Sequence, residues 1–248
     1  MTPRRALLLA TAAALAPALA HAADWNWTGK TARGSGTLTR ELRVIEPFHT
    51  LRLSGSVKVE LRQADRDAVE VETDDNLQPL IQLVQRDGAL DIAERGPIKP
   101  TQLSIVVFVR RLESIAVGGA AGLVAPGPWL GERLRLDVGG AGVVKFSALA
   151  VEHVGVDAGG SSVLNLGGRA GVLKGALGGA ATLSARRLQA READLRVGGS
   201  AQAVLWVRES LQGSVGGAGG LRYYGKPRTD VSRGGAGKVA ALGAEPPP

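Results

Sequence analysis

A pair of adjacent glycines followed by Ala or Ser recurs seven times in the second half of the chain. The copies stand at Gly118-Gly119, Gly139-Gly140, Gly159-Gly160, Gly178-Gly179, Gly198-Gly199, Gly216-Gly217 and Gly234-Gly235, at steps of 21, 20, 19, 20, 18 and 18 residues. A near-constant period of this size means one supersecondary unit copied and stacked, because a single unit so short cannot bury its own apolar face. Apolar residues alternate before the pairs, as in Ile115/Val117, Leu136/Val138, Val156/Ala158 and Leu195/Val197. Ala116, Asp137, Asp157, Ala176, Arg196, Ser214 and Ser232 fill the position between. After each pair comes a small residue, such as Ala120, Ala141 or Ser161, and then a second alternation such as Val144/Phe146 or Leu164/Leu166. Period two with one apolar face is a strand, and no three-four helical spacing competes with it.

Each unit therefore reads as strand, tight glycine corner, strand. Glycine suits the corner because it tolerates positive φ and leaves no side chain where neighbouring coils approach. Valine at Gly159 or Gly178 is expected to be strongly destabilising. Like strands stacked in parallel, about 4.8 Å apart, give an all-β parallel β-helix with coils of about 20 residues. The handedness of parallel crossovers predicts a right-handed solenoid. Leucine-rich repeats fail, because they need an Asn ladder and the chain after residue 22 has only Asn26, Asn76 and Asn165. Calcium-binding glycine repeats fail as well, since Val143 follows Gly139-Gly140-Ala141-Gly142 where they require aspartate. Neither Gly216 to Gly220 nor Gly29-Lys30-Thr31 has the surroundings of a phosphate-cradling loop.

Residues 1–22 read as a secretory signal, with Arg4 and Arg5 at its start, an apolar run from Ala6, and the small-x-small site Ala20-His21-Ala22. The apolar run is shorter than the roughly twenty residues a helix needs to cross a bilayer. No later segment is apolar enough either, so the mature chain is expected to lack a transmembrane segment. With no cysteine in the sequence there is no disulfide and no thiol to carry a lipid anchor. The expected location is exported: periplasmic, extracellular or on the cell surface. After residue 22 the chain holds 28 Lys/Arg against 23 Asp/Glu. The basic surplus lies in residues 114–248, with fifteen against nine, while residues 24–113 hold thirteen against fourteen. A basic repeat half favours anionic partners such as acidic polysaccharide or an outer-membrane surface, and export disfavours nucleic acid.

The chain is expected to form one domain. Residues 23–36 read as a flexible N-terminal segment, 37–242 as the solenoid and 243–248 as a proline-rich tail. Within the less regular first half, strand-like runs appear at 50–62, 69–73, 90–93 and 103–109, with a turn at Asp87-Gly88. Ser54-Gly55-Ser56-Val57-Lys58-Val59 looks like a degenerate repeat corner, and Asp74-Asp75-Asn76 reads as the cap of a short helix over 77–84.

One ordered set of motifs resembles a known family. It runs from Phe48-His49-Thr50-Leu51-Arg52-Leu53-Ser54-Gly55-Ser56-Val57-Lys58-Val59 through Asp74-Asp75-Asn76-Leu77 and Asp87-Gly88-Ala89-Leu90-Asp91-Ile92. It continues with Val109-Arg110-Arg111-Leu112 and the Gly-Gly-Ala/Ser corners. Over roughly residues 40–240 this resembles the GIN-domain family, described as the head of putative autotransporter adhesins. The resemblance implies a β-helical envelope or surface protein and transfers no catalytic residues. No barrel of amphipathic strands follows the last glycine corner, so the expectation is a head alone.

Asp137 and Asp157 share one repeat position and are expected about 5 Å apart on the outer face. With Arg135 and Lys174 nearby, they read as a solvated ion-pair cluster rather than a metal site. Neither His49 nor His153 sits at a metal-ligand spacing, and Ser161 and Ser162 are explained by the need for small residues at the corner. No metal or cofactor is expected. Counted from the first glycine of each pair, Arg186, Trp206 and Tyr224 occupy the ninth position on three successive coils, with Arg222 and Tyr223 beside them. Facing outward, they make a flat strip for stacking on sugar rings. In the competing reading Trp206 turns inward into space left by Ala203 and is core. The expected function is non-catalytic, adhesin-like binding or scaffolding toward anionic glycan or lipid. The alternative is a carbohydrate-active lyase or hydrolase on the same scaffold, which needs clustered carboxylates.

Overall fold

The computed structural model describes residues 30–247; the expected signal segment and residues 23–29 lie outside the described residues. The glycine corner sets its plan. In all seven pairs the second glycine has φ between 63° and 68°, the left-handed region closed to most side chains. The residue after it donates its N–H to the second glycine of the coil before. Ala141 N bonds Gly119 O at 2.8 Å, Ser161 N bonds Gly140 O at 2.7 Å, and Ala180 N bonds Gly160 O at 2.7 Å. A Cβ on Gly140 would lie 2.6 Å from the Gly119 carbonyl oxygen, and one on Gly179 2.8 Å from that of Gly160. Gly55, with φ 78°, starts this ladder, and Ala120 N bonds its oxygen at 2.8 Å, so the degenerate copy is a true corner.

The first glycine of the pair behaves differently. A Cβ on Gly159 or Gly178 would meet nothing within 4 Å, and neither residue has positive φ. The expectation that a side chain at these two positions breaks the corner is corrected: the constraint falls on Gly160 and Gly179. The buried small residue is likewise one place later than expected. Ala120, Ala141 and Ser161 are exposed, while Ala121, Ser162, Ala181 and Ala201 are fully buried beneath the turn.

From corner to corner the chain is almost entirely strand. After β10 (Ser114–Val117) come β11 (Gly122–Val138), β12 (Val143–Ala158), β13 (Val163–Leu177), β14 (Thr182–Val197) and β15 (Gln202–Val215), each pairing in parallel with the next. Two shorter pieces, β16 (Gly220–Tyr224) and β17 (Arg228–Arg233), pair with β15, and β18 (Lys238–Gly243) pairs with β16. This is the expected parallel solenoid. Inward residues stack coil on coil, as in Val59–Leu123–Val144–Leu164–Leu183–Ala203–Leu221, and form one continuous apolar core. Such stacking removes apolar area at about 25 cal/mol per Å² and leaves charged residues on the outer positions.

The N-terminal end closes the stack with antiparallel pieces. Before β10 the strands are β1 (Ala32–Arg33), β2 (Leu38–Val44), β3 (Thr50–Leu53), β4 (Lys58–Gln63), β5 (Ala68–Asp74), β6 (Ile81–Arg86), β7 (Ala89–Glu94), β8 (Ile98–Lys99) and β9 (Leu103–Val109). Parallel stacking continues through β3 on β10 and β4 on β11. Beyond it β2, β5 and β9 pair antiparallel, and β6 turns back on β7 through Asp87 (φ 51°) and Gly88 (φ 70°), the two positive φ values of a hairpin turn.

No α-helix forms at 77–84; a single 3-10 turn spans Gln78–Leu80 and the chain then enters β6. The three-residue motif before it is a staple rather than a helix cap. Asp74 accepts the N–H groups of Gly36 and Thr101, both at 2.8 Å, and Asn76 donates to Arg33 O at 2.8 Å. These bonds tie the segment around β1 to the cap. Asp74 is fully buried. Burial disfavours its charge, but the N–H donors at Thr101 and Gly36 outweigh that and hold its pKa below the ordinary carboxylate value.

Candidate functional site

A second corner lies a few residues after the glycine turn, and it is irregular where the first is uniform. Between β11 and β12, Gly122 pairs with Val143 but Pro128 pairs with Ala148, so one residue of β11 bulges out. The same happens to β12 against β13 between Phe146 and Leu149, and to β14 against β13 between Ser184 and Arg187. Against β15 the excursion is largest: Ala185 pairs with Leu205 and Gln189 with Trp206, leaving Arg186, Arg187 and Leu188 without counterparts. A smaller slip between Ala190 and Glu192 returns one residue to β15. Almost all of the variation in coil length is absorbed at this bend. In the first of these coils the bulge is Pro126-Gly127-Pro128, whose prolines have no N–H to give a ladder.

This geometry sets which residues share a row with Trp206. Trp206 and Tyr224 are register partners on adjacent coils. Arg186 is not in their row, because the three-residue excursion begins immediately after Ala185 and puts Gln189 beside Trp206. Counting from the glycine pair fails wherever a coil slips at the bend, and the slip here is the largest. The row just past the bend runs Leu130, Ala150, Arg169, Gln189, Trp206, Tyr224. Its guanidinium is Arg169, which the sequence reading did not single out.

Trp206 lies between the fully buried Leu205 and Val207 and is itself half-buried, so it belongs to the outward alternation and not to the core. Tyr224 is half-buried in the same way. Arg222 is exposed in the neighbouring outer row, paired with Val204, whereas Tyr223 turns inward and packs against the core. The large packing aromatic of this solenoid is Trp129, 1% exposed and set edge-on to Phe146 with ring centroids 5.8 Å apart. Its sequence signal was its place directly after the Pro-Gly-Pro bulge, where the chain turns back inward.

Two shallow grooves flank the bend. One, of about 390 Å³, is lined by Lys145, Ser147, Asn165, Ser184, Arg186 and Arg187, with Phe146 and Leu166 below. The other, of about 520 Å³, lies by the aromatic row and includes Arg169, Gln189, Arg191, Arg208, Glu152 and Glu209. In this second groove Arg191 is already engaged with Glu152 at 3.0 Å.

Asp137 and Asp157 are register partners, as their spacing predicted. Arg135 bridges them, bonding Asp137 at 3.0 Å and Asp157 at 2.7 Å. The guanidinium's pKa is raised by its hydrogen bond to Asp137 and then by the charges of both carboxylates. The pair is thus an ion-pair cluster in which Arg135 engages both Asp137 oxygens and Asp157 Oδ2. Among the described residues the His49 ring has a hydrogen-bond partner in the Thr50 hydroxyl, at 3.2 Å, and His153 is exposed among non-ligating register partners. Among the described residues no group of three or more His, Cys, Asp or Glu could hold a metal ion. The Ser162 hydroxyl is buried with no hydrogen-bond partner among them.

The sequence pattern of one family, the head GIN domain of putative auto-transporter adhesins, matches residues 47–227. The chain belongs to the GIN-domain family. No curated protein sequence matches it. Solved structures share the GIN fold. A putative adhesin from Bacteroides fragilis is 19% identical with a TM-score of 0.79, covering 85% of this chain and 99% of its own. A putative lipid binding protein from Parabacteroides distasonis is 18% identical with a TM-score of 0.73, covering 86% and 100%. A putative adhesin from Parabacteroides merdae, 18% identical, has a TM-score of 0.67 over 86% and 99%. No helix among the described residues of this GIN domain is long and apolar enough to cross a membrane.

Proposed function

We propose that this GIN domain is an exported, non-catalytic module that adheres to an anionic glycan at the cell envelope or surface. The observation that carries this is the row past the bend: two half-buried aromatic residues in register on adjacent coils, continued by Gln189 and Arg169. Rings held about 4.8 Å apart by parallel pairing offer apolar faces to successive sugars, and the amide and guanidinium beside them supply hydrogen bonds to hydroxyls and acidic groups. The basic surplus of residues 114–248 adds attraction for polyanions. Arg135 clamps the stacked carboxylates of Asp137 and Asp157, which speaks against a glycan-cleaving site there.

The reading is tested with the mature chain against a panel of acidic polysaccharides at about 0.1 M and about 1 M salt, where charge interactions are screened beyond about 10 Å and 3 Å respectively. Affinity should fall with salt, and Trp206→Ala should weaken what remains at high salt while circular dichroism shows an unchanged fold. A Trp206→Ala protein that folds and binds as the parent does would contradict the aromatic row as a binding surface.

A further inference from the structure

On the other side of the same bend, the groove at Lys145 has a composition that the fold does not need. Lys145, Asn165 and Ser184 stand in register on β12, β13 and β14, and Arg186, Arg187 and Ser147 complete its rim. Three of these side chains are cationic, three are neutral hydrogen-bonding groups, and none is acidic. Some arginines of the fold are ion-paired, Arg52 to Asp91, Arg62 to Glu60, Arg135 to both aspartates and Arg191 to Glu152, while others on the outer face, such as Arg222 and Arg228, have no such partner among the described residues. Lys145, Arg186 and Arg187 make no ion pair with any other described residue. Like charges gathered around one concavity repel one another, and a bound anion relieves that repulsion.

The backbone gives an independent reason to look here. Ser147 and Arg186 have no register partner on either neighbouring coil, so the sheet does not fix their position as it fixes that of the residues in register. The coil that carries Arg186 and Arg187 also has the largest register shift at the bend. A planar guanidinium fork, a second guanidinium, an ammonium and two hydroxyls match an anion that presents three oxygens around one centre.

We propose that this groove binds a sulfate ester of a sulfated polysaccharide whose sugar chain continues across the bend toward the Trp206 and Tyr224 row. The proposal rests on the glycan reading above and names the anionic substituent and the residues that take it. The excursion Arg186–Leu188 lies between Ser184 of the groove and Gln189 of the row, so both sites belong to one stretch of surface.

The test uses the mature chain, the double variant Arg186→Ala/Arg187→Ala, and Arg228→Ala/Arg233→Ala, which removes the same charge from β17 on the last coil. A highly sulfated polysaccharide should bind the groove variant at least about tenfold more weakly than the parent, as loss of charge-assisted hydrogen bonds implies. The control variant should lose no more than about twofold. Equal losses in the two variants would reduce the effect to net charge and overturn the proposal, and so would unchanged binding by the groove variant. Polygalacturonate and phosphatidylglycerol vesicles serve as carboxylate and lipid arms, and groove-dependent binding to either of them in preference to the sulfated chain would also overturn it. If the parent binds no polysaccharide, the glycan reading fails on its own. Inorganic sulfate then decides the groove: stabilisation of the parent but not of the groove variant in thermal melts supports an anion site, and equal response of both removes it.

Discussion

The glycine corner and the bend are two turns of the same coil, and they divide the molecule's work between them. At the glycine corner every copy has the same φ, the same hydrogen bond to the coil below and the same absence of a side chain at the second position. At the bend the first four copies all differ: a Pro-Gly-Pro bulge, then Ser147-Ala148, then Gly167-Gly168, then the arginine excursion. A corner where backbones nearly touch cannot change without breaking the stack. A corner that already bulges can take a residue more or less and present it to solvent, which is where a rigid scaffold can carry binding residues.

The largest effect expected from this contrast is at the second glycine. Gly160→Val or Gly179→Val forces a β-branched residue into positive φ against the preceding coil's carbonyl and should cost more than about 3 kcal/mol in urea unfolding. Gly159→Ala and Gly178→Ala, one position earlier, should stay within about 1 kcal/mol of the parent. Similar losses at both positions would erase the distinction drawn between the two glycines.

Sequence periodicity made the repeat, the strand alternation and the degenerate corner at Gly55 legible, because they depend on near neighbours along the chain. It also located the Asp137–Asp157 pair, since both residues precede a glycine pair by two positions and that stretch never slips. What it missed lies beyond the bend. Arg186 was placed beside Trp206 by counting forward through a point where three residues are inserted against β15, and only the pairing partner Gln189 exposes the slip. The drop in step from 20 to 18 residues records that a change occurs but not where in the coil. Residues 77–84 were misread because Asp74 spends its carboxylate on Gly36 and Thr101, contacts 38 and 27 residues away that no local pattern reveals.

A smaller effect sharpens the account of the tight corner from inside. Ser162 is fully buried with its hydroxyl unpartnered among the described residues, in a column where neighbouring coils use Gly142 and Ala181. Ser162→Ala should stabilise the protein by about 1 kcal/mol, since it removes a buried polar group that makes no bond. A destabilisation of that size in chemical unfolding would mean the hydroxyl has a partner and the corner is less dry than described.

The central claim, that one corner fixes the stack and the other is free to vary, is tested most directly by inserting one glycine at each in otherwise identical proteins. Inserted after Arg186, it lengthens an excursion that is already unpaired against β15, and the thermal midpoint should move by only a few degrees, as a cost below about 1 kcal/mol implies. Inserted after Gly179, it interrupts the ladder that runs from Gly55 to Gly235 and should lower the midpoint by more than about 10 °C. Comparable midpoints for the two insertions, or a larger loss at Arg186, would contradict the division between a fixed corner and a variable one.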